Sequence, residues 1–465
     1  MAALSTDDAA AVVQPVERLR GELRLPGDKS ISHRALMLAT IAAGESRIHG
    51  AGDGADVRST AAICRALGAE VERIAAEADG GGTVDYRVLS PGVAGLVQPA
   101  ADLDCGNSGT SLRLFAGIVA ALPFRTVLDG DDSLRRRPVA RIIEPLRAMG
   151  ANLRARADDS LPPLTVVGRN PLTAVDRRTP VPSAQVKSAI LLAGLRADGE
   201  TTVREAVATR DHTERMLRAR GVEVRTERIE RTDRGGAGAG ADDEDGGVAI
   251  TVNGGQAVAT IDDYVPGDVS AAAFWLVAGA IHPDADLTLG RVGVNPTRRA
   301  VIELLRAMGA DIEEQPTAPD TGVGEPIADL RVRSSALHGV DLAPVDVARA
   351  IDEIPILCLA GALAEGVTTI RGAGELRHKE SDRMAGIARG LRLLGADIAV
   401  DGDDIRIVGG RRLAGAEVDS LDDHRLAMTF AIAGLVASGR TSIGRPSSAA
   451  ISYPGFFDDL GRVAS

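Results

Sequence analysis

Aromatic side chains are nearly missing from this chain. They make up 2% of its 465 residues, with one Trp, three Tyr and six Phe. The core must therefore be aliphatic and rich in alanine. Cysteine is almost as scarce. The three present, Cys64, Cys105 and Cys358, match no metal-ligand spacing and no disulfide framework. No apolar run is long enough to span a bilayer. The opening "MAALSTDDAAAVV" carries acid rather than positive charge, unlike a signal peptide. A reduced, cytoplasmic protein is expected. Positive charge is also in deficit: the net charge of −12 argues against general affinity for nucleic acid. There is no Walker loop, no dinucleotide fingerprint after a first strand and no His-Glu-x-x-His motif. No cofactor and no metal are expected.

What the chain does have is repetition. An apolar helix ending in a glycine and followed by a strand-like run recurs as "ICRALGAEVERI" around Gly68 and "PLRAMGANLRAR" around Gly150. It returns around Gly221, Gly309 and Gly395, with a truncated copy expected around Gly461. The glycine reads as a helix C-cap. Before each copy stands a small-residue helix, a Gly or Pro break and a β-branched strand, as in "LFAGIVAALPFRTVLDG". Together they give a strand–helix–strand–helix–strand unit, present six times, too long for a thin solenoid slice. The segment 231–247 is glycine-rich and charged, and is expected to be a flexible loop.

The first helix of each unit begins with "GDKS", "CGNSGTS", "VPSAQVKS", "PGDVS", "AIDEIP" or "DDHR". Each start carries Asp, Asn or Ser where an N-cap belongs. Lys29 and Arg34 in the first of them are odd, because a helix N-terminus already favours anions. Either Asp28 or Ser30 caps that helix and the cations are incidental, or the amides and cations share a bound anion. The same choice stands at Arg135, Arg136 and Arg137, a solvated run or an anion site. Asp352 is either a cap or a reactive carboxylate. Lys379 and Arg383 stand four residues apart and repel unless an anion lies between them, although Glu375, Glu380 and Asp382 also offer neutralisation. Cys105 beside Gly106 has no identifiable activating histidine. Residue chemistry alone thus reaches an enzyme with a cationic cleft for phosphorylated or carboxylated substrates.

The motifs "PGDKSISHRAL", "CGNSGTSLRLF", "LRRRPV", "PSAQVKSA", "TRDHTERML", "IDEIP", "LRHKESDR" and "DDHRLAM", in that order, resemble the 5-enolpyruvylshikimate-3-phosphate (EPSP) synthase family from about Pro15 to the end. The resemblance implies an α/β chain of two domains. Each would hold three βαβαββ modules about a pseudo-threefold axis, like an α/β barrel turned inside out, with the active site in the interdomain cleft. The expected domains are 28–263, on the shikimate 3-phosphate side, and a discontinuous partner of 1–27 with 264–465. The implied reaction moves the enolpyruvyl group of phosphoenolpyruvate to the 5-hydroxyl of shikimate 3-phosphate and releases phosphate, on the way to chorismate and the aromatic amino acids. Carried over by motif, Lys29, Ser30, Arg34, Ser183, Ala184, Gln185, Arg210, Asp352 and Lys379 would hold shikimate 3-phosphate. Lys29, Asn107, Gly109, Arg137, Gln185, Arg383 and Arg425 would hold phosphoenolpyruvate. Asp352 would take the hydroxyl proton. Glu380, with Lys29, would protonate the methylene carbon, for which a carboxyl of raised pKa serves.

"SAQVK", "RDHTE" and "NPTR" resemble the branch often called class II, with Arg210 where the other branch has tyrosine and Ile451 where many members have lysine. The inhibitor glyphosate would occupy the phosphoenolpyruvate site, where Gly109 is expected to leave open space. The implied partners are the two small-molecule substrates, with no nucleic acid and no membrane, and the chain is expected to be a monomer. The alternatives are a UDP-N-acetylglucosamine enolpyruvyl transferase, which would need a mobile-loop cysteine, and a non-catalytic sugar-phosphate-binding protein, which would keep the cations and lose Asp352 or Glu380.

Overall fold

A computed structural model describes residues 4–6, 10–75, 82–229, 247–317 and 324–464. All but the last residue of the expected loop 231–247 lies outside them. Six four-stranded sheets occur among the described residues. In the first, Ala43–Gly52 pairs antiparallel with Thr83–Pro91 and parallel with Asp262–Tyr264, while Glu70–Ala75 closes the far edge. The other five repeat this layout, one parallel pair followed by antiparallel pairs.

The local reasons for the repeat are visible. The repeated glycine does end its helix: Gly150 has φ 96° and Gly309 has φ 97°, which L side chains avoid. The arginine three residues earlier folds over that turn and donates to the carbonyl six residues ahead. Arg65 reaches Val71 O at 2.8 Å, Arg147 reaches Leu153 O at 3.0 Å, and Arg218 reaches Val224 O at 3.0 Å. Arg306 and Arg392 do the same to Ile312 O and Ile398 O. Each arginine thus ties a helix end to the strand that follows, which is why "LRAMG" recurs. Gly461 departs from this pattern. It lies inside the helix Phe456–Val463 rather than at its cap. The sixth unit has no strands after that helix, so its sheet is completed by the other end of the chain: Leu4–Thr6 and Ala10–Val13 add to Thr441–Gly444.

The first helix of each unit is apolar around its whole circumference, and such a helix belongs inside. In Val269–Ile281 every residue from Val269 to Ala280 is buried, and in Lys29–Ile41 every residue from Ile31 on. The strands alternate instead, as in Thr83–Pro91, with one face turned to these helices. Two apolar cores result. One draws on residues between Ile31 and Val252. The other joins Ala11–Leu25 to residues from Val269 to Val463. Leu19–Arg24 pairs with the sheet of the second core, while Asp262–Tyr264 pairs with that of the first. The chain therefore crosses twice between them, at "LPGD" and "VPGD", and Gly27 and Gly267 bridge where the crossings meet.

The helices Gly109–Ala120 and Ala184–Gly194 carry much of the expected site at their N-termini, and they pack so closely that a Cβ on Gly117 would run into the Ala189 carbonyl. Gly117→Ala is expected to destabilise by about 1–3 kcal/mol through overpacking. Gly461, with nothing within 4 Å of an added Cβ, serves as the control: Gly461→Ala should be neutral or stabilising by up to ~1 kcal/mol. Chemical-denaturation midpoints of the two variants give the comparison.

Candidate active site

The helix starts separate capping from everything else. Asp28 Oδ1 accepts from Ile31 N at 2.9 Å, Ser108 from Ser111 N at 3.0 Å and Ser183 from Val186 N at 3.4 Å. Asp268 and Asp423 cap the helices that follow them. Asp28 is thus a cap, which leaves Lys29 and Arg34 unexplained by it. Asp352 is not a cap: the helix Ile354–Leu363 starts after Glu353, and neither carboxylate caps it. Glu353 is instead buried against the Ser270 hydroxyl, 3.6 Å from both Arg298 and Arg425.

Asp352 collects cations from both halves. Arg210 of the first half donates to Oδ2 at 2.5 Å, and Lys379 of the second to Oδ1 at 3.1 Å, with Arg383 Nη1 3.5 Å away. Asp352 is therefore the anion between Lys379 and Arg383 that their spacing demanded. Burial pushes its carboxyl up, but Lys379, Arg210, Arg425 and Arg383 outweigh this and hold it well below the ordinary range. Glu380 is placed alike. Arg383 Nη2 is 2.5 Å from Oε2, and Arg137 Nη1, across the gap, is 3.7 Å from Oε1. Here too burial raises the pKa, yet Arg383, Arg137 and Lys29 bring it well below normal. The raised pKa expected of Glu380 is thus absent without substrate, because unneutralised cations surround it. Of the other acids near that helix start, Glu375 pairs with Arg141 across the gap at 2.9 Å and Asp382 caps Arg383–Leu393.

Lys29 Nζ donates to Asp56 at 3.1 Å. Arg34 is buried, donating to Thr213 Oγ1 at 2.8 Å, Ser188 Oγ at 3.0 Å and Ser30 O at 2.9 Å. Burial pulls its pKa down to about 10, with Glu214 and Asp28 opposing. Arg137 donates to Asn107 Oδ1 at 2.6 Å. Its neighbours in the run behave differently: Arg135 pairs with Asp129 at the surface and Arg136 is exposed. Ser183 and Ala184 open the helix from which Gln185 reaches Thr110 Oγ1 at 3.0 Å. Arg425 stands at the start of His424–Gly434, 8% exposed. Ile451 ends the 3₁₀ turn Pro446–Ile451, and its carbonyl leaves no room for a Cβ on Gly54. Cys105 is buried beside Leu103 O, and burial pushes its thiol up, so it is no nucleophile.

The space above Gly109 is not open as expected. A methyl there would stand 2.6 Å from Arg113 Nη1, which donates to Gln185 Oε1 at 2.8 Å. Sequence reasoning missed Arg113, although it lies four residues after Gly109 and hence on the same helix face. It also missed His424, a buried ring with neither nitrogen partnered among the described residues. Burial, then Lys29, keeps it well below the normal histidine pKa, hence neutral. No group of three metal-ligating side chains gathers among the described residues, and no described helix is long and apolar enough to cross a membrane.

Known proteins resemble this chain over nearly its whole length. The model of the family described as EPSP synthase (3-phosphoshikimate 1-carboxyvinyltransferase) matches residues 13–460. A 3-phosphoshikimate 1-carboxyvinyltransferase of Gloeobacter violaceus is 49% identical over 452 residues, 97% of this chain and 98% of the relative. One of Halorhodospira halophila is 48% identical over 453 residues, 97% and 95% of the two chains. Among solved structures, the EPSP synthase from Acinetobacter baumannii superposes with a TM-score of 0.81 at 39% identity, covering 97% of this chain and 98% of its own. An enolpyruvyl transferase from Streptomyces tendae, at 21% identity and a TM-score of 0.73 over 99% and 98% of the two chains, shares the fold. With the family model spanning nearly the whole length and relatives near half identity from end to end, the chain belongs to the EPSP synthase family.

Proposed function

We infer that this chain transfers the enolpyruvyl group of phosphoenolpyruvate to the 5-hydroxyl of shikimate 3-phosphate, releasing phosphate by addition and elimination. The observation that carries the reading is the pair Asp352 and Glu380, each set among arginines and lysines from both halves. Two anionic substrates repel, and a cleft lined by cations removes that barrier first. Shikimate 3-phosphate would lie against Lys29, Ser30, Arg34, Ser183, Ala184, Gln185, Arg210 and Lys379. Phosphoenolpyruvate would lie against Asn107, Gly109, Arg137, Arg383 and Arg425, whose guanidinium forks suit phosphate and carboxylate.

The chemistry follows from the charges. Bound phosphates compete for the cations that now depress both carboxyls, so both pKa values rise on binding. Asp352 then takes the 5-hydroxyl proton as that oxygen bonds to C2 of phosphoenolpyruvate, and Glu380 gives a proton to the methylene carbon. The tetrahedral adduct loses phosphate and a methyl proton, which restores the double bond on the transferred group. The alternative that needs a mobile-loop cysteine finds no support in Cys64, Cys105 and Cys358, which are all buried. A merely binding protein does not need both carboxylates. The reading includes a cytoplasmic monomer, suited by three unpaired cysteines.

Asp352→Asn and Glu380→Gln are expected to fold normally and bind shikimate 3-phosphate, but to turn over at least ~10²-fold more slowly, the low end for acid–base catalysis. A phosphate-release assay reads this, and wild-type turnover in either variant removes that residue from the mechanism.

We further propose that residues 28–263 form one domain and 1–27 with 264–465 the other, and that ligands draw them together. The support is the double crossing and the division of the cations between the halves. Small-angle scattering should show a smaller radius of gyration once both ligands are added. An unchanged radius counts against closure unless the free protein is already closed, the state in which Arg210 meets Asp352 and Arg141 meets Glu375.

Gly109→Ala is expected to weaken glyphosate more than phosphoenolpyruvate, because the inhibitor is longer and the new methyl presses on Arg113. One misplaced methyl is worth roughly 10–200-fold. The inhibition constant beside the KM for phosphoenolpyruvate tests this, and equal shifts would show that the position does not discriminate.

A further inference from the structure

Behind the shikimate 3-phosphate side lies a charged group that none of these steps uses. Lys187 is 1% exposed. Its Nζ stands 3.0 Å from Glu205 Oε2 and 2.8 Å from Glu214 Oε1, and donates to the Thr209 carbonyl at 3.2 Å. Burial lowers the pKa of the ammonium, but Glu214 and Glu205 outweigh it, so Lys187 is charged. Lys187 and its two carboxylates form a charged triad shut away from solvent, with Arg34 also acting on Glu214. Such a group is poor at stabilising a fold, since well-packed apolar side chains do as well or better. Its geometry suggests another task.

Lys187 is on the helix Ala184–Gly194, Glu205 ends the strand Glu200–Glu205, and Glu214 is on the helix His212–Ala219. The segment 206–211 joins the last two. Thr209, in that segment, is held by all of its polar groups: its carbonyl by Lys187, its N–H by Glu205 Oε2 at 3.2 Å and its hydroxyl by Glu205 Oε1 at 2.6 Å. The residues immediately after Thr209 reach the other half. Arg210 donates to Asp352, and Asp211 accepts from Asn295 at 2.7 Å. The side chain of Arg210 meets Asp352 at its tip, so the backbone behind it sets whether that tip can reach.

We propose that Lys187 is a positioning residue: together with Glu205 it pins Thr209, and so fixes Arg210 where it meets shikimate 3-phosphate and Asp352. The inference rests on the reading of Arg210 as a ligand of that substrate. It accounts for a lysine in "SAQVKSA" and for Glu205 at the strand end, both buried away from solvent.

The test is a coupling measurement. KM for shikimate 3-phosphate, KM for phosphoenolpyruvate and kcat are measured for Lys187→Met, Glu205→Gln and Arg210→Ala, and for each of the first two combined with Arg210→Ala. Circular dichroism establishes that each is folded. Arg210→Ala should raise KM for shikimate 3-phosphate about 10-fold or more, the loss of a charge-assisted contact. Lys187→Met and Glu205→Gln should raise it by a similar factor, with less than about a twofold change in KM for phosphoenolpyruvate, and should add nothing once Arg210 is gone. Should Lys187→Met fail to fold, Glu205→Gln, which leaves the Lys187–Glu214 pair intact, makes the same comparison. An unchanged KM for shikimate 3-phosphate in the folded variants overturns the proposal. So does an equal effect with and without Arg210, which would mark the triad as structural. If Arg210→Ala itself leaves that KM unchanged, the reading of Arg210 fails and the proposal with it.

Discussion

Like charges crowd the centre of this protein, and everything around them answers to that repulsion. Arg137, Arg210, Lys379, Arg383 and Arg425 come from four units, Lys379 and Arg383 sharing one, and Arg383 is 1% exposed. Unopposed, such a set would drive the halves apart, because Coulomb repulsion at this range is several kcal/mol per pair even at an effective dielectric near 20. Asp352, Glu353, Glu380 and Asp423 oppose it. The carboxylates that later handle protons act first as counterions, and their depressed pKa values are the measure of that work. Substrate phosphates take over the counterion role, which frees the carboxyls for chemistry. Binding and activation are then one event.

The scaffold makes such crowding tolerable. Arg34 and Arg425 sit near the start of helices buried along almost their whole length, so the charged end is rigid and the rest is anchored. Arg383 begins a helix buried along one face, and the arginine lock fixes the opposite end of that second type of helix to its strand. Precision at one end of a helix depends on immobility at the other.

Much of this was legible in the sequence. The glycine caps and the polar starts of the first helices follow from local chemistry, and local chemistry is what a linear pattern records. The repulsive spacing of Lys379 and Arg383 correctly announced an intervening anion. The pattern did not reveal that the anion is Asp352, since chain spacing says nothing about which units face one another. For the same reason Arg210 meeting Asp352, and Arg137 meeting Glu380, are not written in the sequence. Arg113 was legible in principle from helical periodicity. The depressed pKa of Glu380 was not, because it depends on charges brought together from separate segments. The truncated sixth unit misled: the sequence shows a missing pair of strands but not that the opposite terminus replaces them.

That replacement has a temporal consequence. The ribosome makes Ala10–Val13 and Leu19–Arg24 first and Thr441–Gly444 nearly last, yet these strands share one core. The core between Ile31 and Val252 has all of its central helices as soon as its own stretch has emerged. The other must hold Leu19–Arg24 until Ala285–Gly293 is made, and Ala10–Val13 until Thr441–Gly444 is made. Its edges stay open until those partners are made, and exposed edges recruit foreign strands. The order of translation therefore gives the two halves different histories: one can gather as soon as its own stretch is made, while the other waits for segments far along the chain.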